Sequence, residues 1–116
     1  MALMRRGEVW VANLNPTRGH EVGKIRPVLV IQSDALDATV SPMVICLPLT
    51  SQVYPGMSRW RVSLPPRDRL LRPCQIITDQ PRSLDRTRFG DGPLTVLTAD
   101  EMTAVERGLM TALGLL

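Results

Sequence analysis

Hydrophobic and polar positions divide the chain into short segments separated by turns. Residues 8–14 and 60–64 alternate between apolar and polar side chains, which is typical of strands with one buried face. Residues 27–31, 43–49 and 74–78 are nearly continuous apolar runs that predict buried strands, and residues 94–97 predict a short sixth strand. Ten prolines and eight glycines punctuate the chain. The pattern therefore favours a small β-barrel over a helical bundle.

The hydrophobic period changes near the end of the chain. Thr98 and Glu101 have the spacing of a capping box, in which each side chain bonds the other residue's backbone amide. Apolar residues then recur at helical spacing up to Gly114, which is placed to end the helix. They are Met102, Val105, Leu109, Ala112 and Leu113. We expect a mainly β protein with one amphipathic C-terminal α-helix packed on the barrel.

The length and the hydropathy pattern limit the class of protein. A chain of 116 residues and 12.9 kDa is expected to form a single domain over residues 1–116. No apolar run approaches the ~20 residues that a membrane-spanning helix needs. Residues 1–6 become charged too early for a secretory signal. These features predict a cytoplasmic protein without a membrane partner.

The sequence predicts no metal site and no cofactor. Cys46 and Cys74 are the only cysteines and His20 is the only histidine, whereas a zinc site needs about four such ligands at short spacings. Both cysteines adjoin apolar runs, so we expect buried, reduced thiols. The chain also lacks glycine-rich nucleotide-binding motifs.

The basic charge is unevenly distributed along the chain. There are 14 basic and 11 acidic residues, a net charge of +3, and Lys24 is the only lysine. This arginine bias either favours nucleic acid, since guanidinium groups bind phosphates in pairs of hydrogen bonds, or reflects a GC-rich genome. Residues 59–72 hold five arginines against Asp68 alone. They could follow a phosphate backbone or form a solvated loop.

Polar residues at the ends of predicted strands are the main candidates for chemistry. Glu21 and Arg26 flank the strand that starts at Pro27, and Thr50 ends the third strand. They could share a cleft at one rim of the barrel. Alternatively, Arg26 pairs with Glu21 to hold a loop and Thr50 caps a turn. One histidine excludes a two-histidine ribonuclease, and aspartates at turn positions argue against a two-metal nuclease.

Short motifs follow one another in a specific order along the chain. They are RGEVW at 6–10, LNP at 14–16, GHE at 19–21, RPVLVI at 26–31, PLTSQ at 48–52, DQ-x-R at 79–82 and LGL at 113–115. In identity and order they resemble the MazF/PemK family of toxin endoribonucleases, over roughly residues 5–115. The stretch 53–72 matches poorly, so a sequence preference for cleavage cannot be transferred.

The resemblance implies an SH3-like barrel that acts as a homodimer. It further implies the toxin of a type II toxin-antitoxin system, which cleaves single-stranded RNA at short motifs without metal and is silenced by a cognate antitoxin with an acidic, disordered tail. The family's catalytic residues fall on Arg26, Thr50 and Glu21, and its RNA-contacting glutamine falls on Gln80. The neighbouring motif residues expected to bind RNA are His20, Ser51, Gln52 and Arg82.

The implied reaction is attack of a ribose 2′-hydroxyl on its own 3′-phosphate, which leaves a 2′,3′-cyclic phosphate and a 5′-hydroxyl. Arg26 suits stabilisation of the phosphorane charge, and as a guanidinium it is a poor base. Thr50 can donate a hydrogen bond to a phosphate oxygen. Glu21 is the candidate base and would need desolvation for that role, with His20 as its rival.

Two other functions stay open on the sequence. A toxin family of the same fold poisons DNA gyrase through a C-terminal tryptophan, whereas this chain ends in LGLL. A non-catalytic SH3-like binding module would not need Arg26, Thr50 and Glu21 together. We expect Trp10 in the core and Trp60 on a half-buried strand, with base stacking as the alternative for Trp60.

Overall fold

One antiparallel sheet of seven strands dominates the computed structural model, which describes residues 3–57 and 59–116. The strands are β1 Glu8–Asn13, β2 Ile25–Val30, β3 Met43–Thr50, β4 Arg61–Leu64, β5 Cys74–Ile77, β6 Arg82–Asp85 and β7 Thr95–Val96. Neighbouring strands follow the order β4-β5-β3-β2-β1-β7, and β6 additionally pairs with β3. The helix α1 covers Ala99–Ala112, and short 3-10 turns cover Pro55–Met57 and Arg86–Arg88.

The long strand β3 gives the sheet its barrel shape. Along one edge it pairs with β2, while along the other edge its first half pairs with β6 and its last two residues pair with β5. Pro48 lies between the two halves and has no N–H to donate to a partner strand. The sheet therefore turns at this position and closes halfway into a small, SH3-like barrel.

The C-terminal helix covers the open side of the barrel. The capping box is formed, with Thr98 accepting from the amide of Glu101 at 3.2 Å and Glu101 accepting from the amide of Thr98 at 2.8 Å. Val105 is fully buried in the main core cluster, with Met102 and Leu109 packed against that cluster. The predicted mainly β fold with a C-terminal helix is confirmed.

Two details of the predicted strands are wrong. Trp60 lies in a turn before β4, where its carbonyl accepts the Thr78 hydroxyl at 2.6 Å, so the strand begins at Arg61. Arg82 begins an additional strand, β6, which the sequence pattern did not predict. Because only Leu84 of β6 is buried, that strand has too few apolar positions for a recognisable alternation.

Burial agrees with the expectations for Trp10 and for the two cysteines. Trp10 is in the core, and Cys46 and Cys74 are free and buried. Burial raises the pKa of the Cys46 thiol to about 12, so this side chain stays protonated at neutral pH. Within residues 3–57 and 59–116, no helix is long and apolar enough to cross a membrane. The same residues contain no group of three or more histidine, cysteine, aspartate or glutamate side chains placed to hold a metal ion.

Candidate functional site

A cleft of about 550 Å³ lies where the loop of residues 14–24 faces the ends of β2 and β3. It brings together six of the eight side chains selected from the sequence, namely His20, Glu21, Arg26, Thr50, Gln52 and Gln80. Asn15, Thr17, Gly19, Val22, Gly23, Lys24, Tyr54, Arg61 and Ile77 complete the lining. Glu21, Arg26 and Thr50 therefore line one cleft, which is the first of the two arrangements that the sequence left open for them.

Arg26 occupies the second position of β2, directly before Pro27. A residue before proline prefers an extended backbone, which suits the strand pairing of Arg26 with Ala12. The side chain is half-buried, and its Nε donates to the carbonyl of Gly23 at 2.7 Å. This bond fixes the guanidinium at the base of the loop of residues 14–24, called the first loop below. The terminal nitrogens retain hydrogen-bond donors for a ligand.

Thr50 is the last residue of β3 and pairs with Gln75 of β5. It is 7% exposed, and its Oγ1 accepts from the amide of Gln52 at 3.1 Å. The hydroxyl therefore caps a turn, as one of the two interpretations predicted. Because the oxygen is used as an acceptor, the hydroxyl proton is available to donate into the cleft.

Glu21 and His20 lie on the exposed part of the first loop. The Oε1 of Glu21 accepts from the amide of Arg18 at 2.5 Å. Glu21 and Arg26 are not among the ion pairs between the described residues, so the alternative of a loop held by this pair is wrong. Since Glu21 is exposed, the free chain does not provide the desolvation that a base at this position needs.

Gln80 and Arg82 connect the first loop to the sheet. Gln80 Oε1 accepts from the amide of Val22 at 3.0 Å, and Arg82 donates to the carbonyl of Leu14 at 2.9 Å. Gln80 still lines the cleft, whereas Arg82 lines a shallower groove beside it with His20, Glu21 and Pro81. The DQ-x-R motif thus positions the loop that carries Glu21.

Ser51 and Gln52 follow Thr50 but lie on different sides of it. Gln52 lines the cleft, where its Oε1 accepts from the Tyr54 hydroxyl at 3.4 Å. Ser51 lines a neighbouring groove that shares Lys24 and Arg26 with the cleft. The structure does not bring Ser51 into the same cavity as Thr50.

Two side chains of this cleft, Lys24 and Tyr54, were not among the candidates from the sequence, and Arg61 was considered only as part of the basic stretch of residues 59–72. Arg61 lies over the Tyr54 ring, with its Cζ atom 5.6 Å from the ring centre. The buried side chain of Gln75 holds the Tyr54 backbone through two hydrogen bonds of 3.0 and 3.1 Å. Tyr54 is the only tyrosine of the chain and lies just before the basic stretch of residues 59–72, and that was the available signal.

The arginines of residues 59–72 separate into two groups. Arg67 forms two hydrogen bonds with the carboxylate of Glu101, at 2.5 and 2.8 Å, and Arg69 forms an ion pair with Asp91. Arg61 instead lines the cleft together with Lys24 and Arg26, where Glu21 is the one acidic side chain of the lining. The cleft is therefore predominantly positive and suits an anionic ligand.

Comparison with known proteins finds one matching family and several similar solved structures. Residues 5–113 match the model of a family described as the PemK-like, MazF-like toxin of a type II toxin-antitoxin system. MazF from Deinococcus radiodurans is 30% identical, with 98% of this chain and 99% of that chain covered and a TM-score of 0.80. A MazE–MazF complex from the same organism is also 30% identical, with 97% of each chain covered and a TM-score of 0.73. An endoribonuclease in complex with its cognate antitoxin, from a mycobacterial species, shares the fold at 24% identity, with coverages of 97% and 95% and a TM-score of 0.71.

Proposed function

Because the chain belongs to the family of PemK-like, MazF-like toxins of type II toxin-antitoxin systems, we propose that it is a sequence-specific endoribonuclease. Its substrate is single-stranded RNA in the cytoplasm, and cleavage there inhibits translation and growth. The observation that carries the proposal is the convergence of Arg26, Thr50 and Glu21 on one positive cleft. By the resemblance of the sequence motifs, the family's catalytic positions fall on these three residues.

The proposed reaction begins with attack of a ribose 2′-hydroxyl oxygen on the adjacent phosphorus. The P–O5′ bond breaks, leaving a 2′,3′-cyclic phosphate and a 5′-hydroxyl. Arg26 stabilises the charge that develops on the phosphorane oxygens, since a fixed guanidinium gains most where negative charge accumulates. Thr50 donates a hydrogen bond to a nonbridging oxygen.

Glu21 is the proposed acceptor of the 2′-hydroxyl proton. Its carboxylate is exposed in the free chain, and bound RNA covering the first loop would exclude water from it. Gln80 and Arg82 contribute by holding that loop against the sheet. Protonation of the leaving 5′-oxygen falls to Arg26 or to water.

Metal independence is part of the proposal, because the cleft presents Lys24, Arg26 and Arg61 to the phosphates that a divalent cation would otherwise neutralise. The test is incubation of the purified protein with a long RNA of defined sequence in excess EDTA, followed by mapping of the fragment ends. We expect cleavage at a short motif and 5′-hydroxyl ends that polynucleotide kinase labels directly.

Two results would contradict this mechanism. Activity lost on chelation and restored by Mg²⁺ or Mn²⁺ would point to carboxylate-bound metal. Intact RNA under all conditions would favour a binding module of the same fold. An Arg26→Ala variant serves as the control against contaminating ribonuclease, since at equal concentration it should cleave the RNA on the order of 100-fold more slowly.

We also propose that the protein acts as a homodimer. Ile25 and Leu71 are 69% and 82% exposed. They line a groove that combines apolar residues such as Leu49 and Leu70 with four basic residues, namely Lys24, Arg26, Arg69 and Arg72. Burial of such side chains against a second copy would be favourable. Sedimentation equilibrium at micromolar concentration should give twice 12.9 kDa, and a monomer mass would contradict the proposal.

A cognate antitoxin with an acidic, disordered tail is the proposed inhibitor. The positive cleft that attracts phosphates also attracts carboxylates, and a segment that folds on binding can follow a long groove. Inhibition should therefore be competitive with RNA, with an association rate that falls as salt rises. Noncompetitive inhibition would show that the antitoxin binds elsewhere.

A further inference from the structure

A second positive cleft, with a volume of about 490 Å³, lies between β4 and α1. Its polar lining consists of Arg59, Arg61, Ser63, Arg107 and Thr111. No acidic side chain lines this cleft within the described part of the chain. Three arginines without a lining carboxylate create a local positive potential that suits an anion.

Arg61 connects this second cleft with the catalytic cleft, because its side chain lines both. The only hydrogen bond from its side chain to another described residue is long, at 3.5 Å from Nη1 to Gln75 Oε1. Its buried Nε–H has no acceptor among the described residues. The terminal nitrogens of Arg61 therefore keep donors that no other described residue accepts.

The other arginines of the second cleft also form no ion pair with a described residue. Arg59 lies 5.2 Å from the centre of the Trp60 ring, and Arg107 is exposed on α1. Neither takes part in the ion pairs found between described residues, in contrast to Arg67 and Arg69. The guanidinium groups are thus available to phosphates, and Trp60 and Tyr54 add aromatic surface next to them.

From this continuity we infer that the second cleft binds the backbone of RNA that flanks the cleaved motif. The inference rests on the proposed ribonuclease function. RNA would cross from the catalytic cleft over Arg61 into the groove of Arg59 and Arg107. Because these contacts are made to phosphates, they add affinity without adding sequence preference.

The test compares a short RNA, holding only the cleaved motif, with a long RNA extended by about six nucleotides on each side. Both carry a 2′-deoxy sugar at the cleaved position, which removes the attacking hydroxyl and permits equilibrium binding. Fluorescence anisotropy gives Kd at several salt concentrations. The wild-type protein should bind the long RNA about tenfold more tightly than the short one.

The double variant Arg59→Gln/Arg107→Gln should lose this advantage on the long RNA and keep the wild-type Kd on the short one. The slope of log Kd against log salt for the long RNA should fall by about 0.7 for each arginine removed. Arg5→Gln, which removes an exposed arginine outside both clefts, is the matched control and should behave as wild type. Arg61→Gln should lower the affinity for both RNAs, since the Arg61 side chain lines both clefts.

Three outcomes would overturn the inference. The wild-type protein could bind both RNAs with equal affinity, or the double variant could lose affinity equally for both RNAs or for neither of them. Unchanged RNA binding with weakened antitoxin binding would assign the cleft to an acidic peptide instead. These results are separate from failure of the proposed function, which would appear as no cleavage of an all-ribose short RNA by the wild-type protein.

Discussion

Two sets of arginines in this molecule differ in what their charge meets. Around the cleft of the candidate site, the side chains of Arg26 and Arg61 have no carboxylate partner among the described residues, and each side chain makes a single hydrogen bond to another described residue. At the base of the helix, Arg67 forms a bidentate pair with Glu101. The first set therefore leaves positive charge for a ligand, and the second set neutralises it inside the fold.

The contrast shows that arginine content alone does not locate an RNA-binding surface. Arg61 and Arg67 are six positions apart in one basic stretch, yet they serve different purposes. Arg67 also donates to Thr95 Oγ1 at 3.2 Å and to the carbonyl of Val96 at 3.1 Å, which joins the loop before β5 to β7 and α1. Its guanidinium is a structural cross-link.

The largest expected effect concerns Arg26, which belongs to the first set of arginines. Arg26→Ala should reduce the rate of RNA cleavage on the order of 100-fold or more, because a charge donor at the transition state is lost. The free energy of unfolding should change little, since the side chain makes one hydrogen bond to the protein. The measurements are single-turnover cleavage and urea denaturation of the same preparations.

Arg26→Lys is the matched variant for this prediction. It keeps the positive charge but loses the planar arrangement of donors, so it should recover little of the activity. Full activity in folded Arg26→Ala would refute the catalytic role of Arg26. Full activity in Arg26→Lys would show that charge alone is sufficient.

Local sequence patterns were sufficient for most of the fold. Buried strands, the capping box of Thr98 and Glu101, and the burial of Trp10 each depend on residues close in the sequence. The strand β6 was missed because it is held by pairing with β3 and not by its own apolar pattern. The position of Trp60 was wrong because its turn is fixed by a distant hydrogen bond to Thr78.

The candidate site was predicted only partly, for the same physical reason. The motifs identified Arg26, Thr50 and Glu21, and the cleft brings these residues together. The separation of the arginine cluster depends on partners 34 residues away for Arg67 and 22 away for Arg69. Such pairings are formed by tertiary structure, so spacing along the chain contains no signal for them.

The second prediction concerns Arg67, which belongs to the second set of arginines. Arg67→Ala should lower the free energy of unfolding by about 2 kcal/mol, since it removes charged hydrogen bonds from a pair whose side chains are each 23% exposed. Cleavage activity per folded molecule should stay near wild type. Chemical denaturation combined with active-site titration measures both quantities.

Acid should weaken the same pair. The hydrogen bonds from Arg67 hold the pKa of Glu101 below its ordinary value of 4.5. The stabilising contribution is therefore complete above that value and is lost as the pH falls through the lower pKa of the folded state. Glu101→Gln retains a capping side chain without the charge. The stability difference between wild type and Glu101→Gln should shrink between neutral pH and about pH 3, and a constant difference would contradict the assignment.

The smallest expected effect belongs to the pair of Arg69 and Asp91. This pair tests whether every arginine with a carboxylate partner contributes to the free energy of unfolding. Their side chains are 55% and 63% exposed, so water and salt screen the attraction and the ordering of two long side chains offsets it. Arg69→Ala should therefore lower the free energy of unfolding by less than about 1 kcal/mol, and added salt should reduce the difference further. Parallel denaturation of Arg67→Ala and Arg69→Ala at low and high salt measures this ranking. A larger loss in Arg69→Ala would show that burial of the pair does not determine how strongly it stabilises the fold.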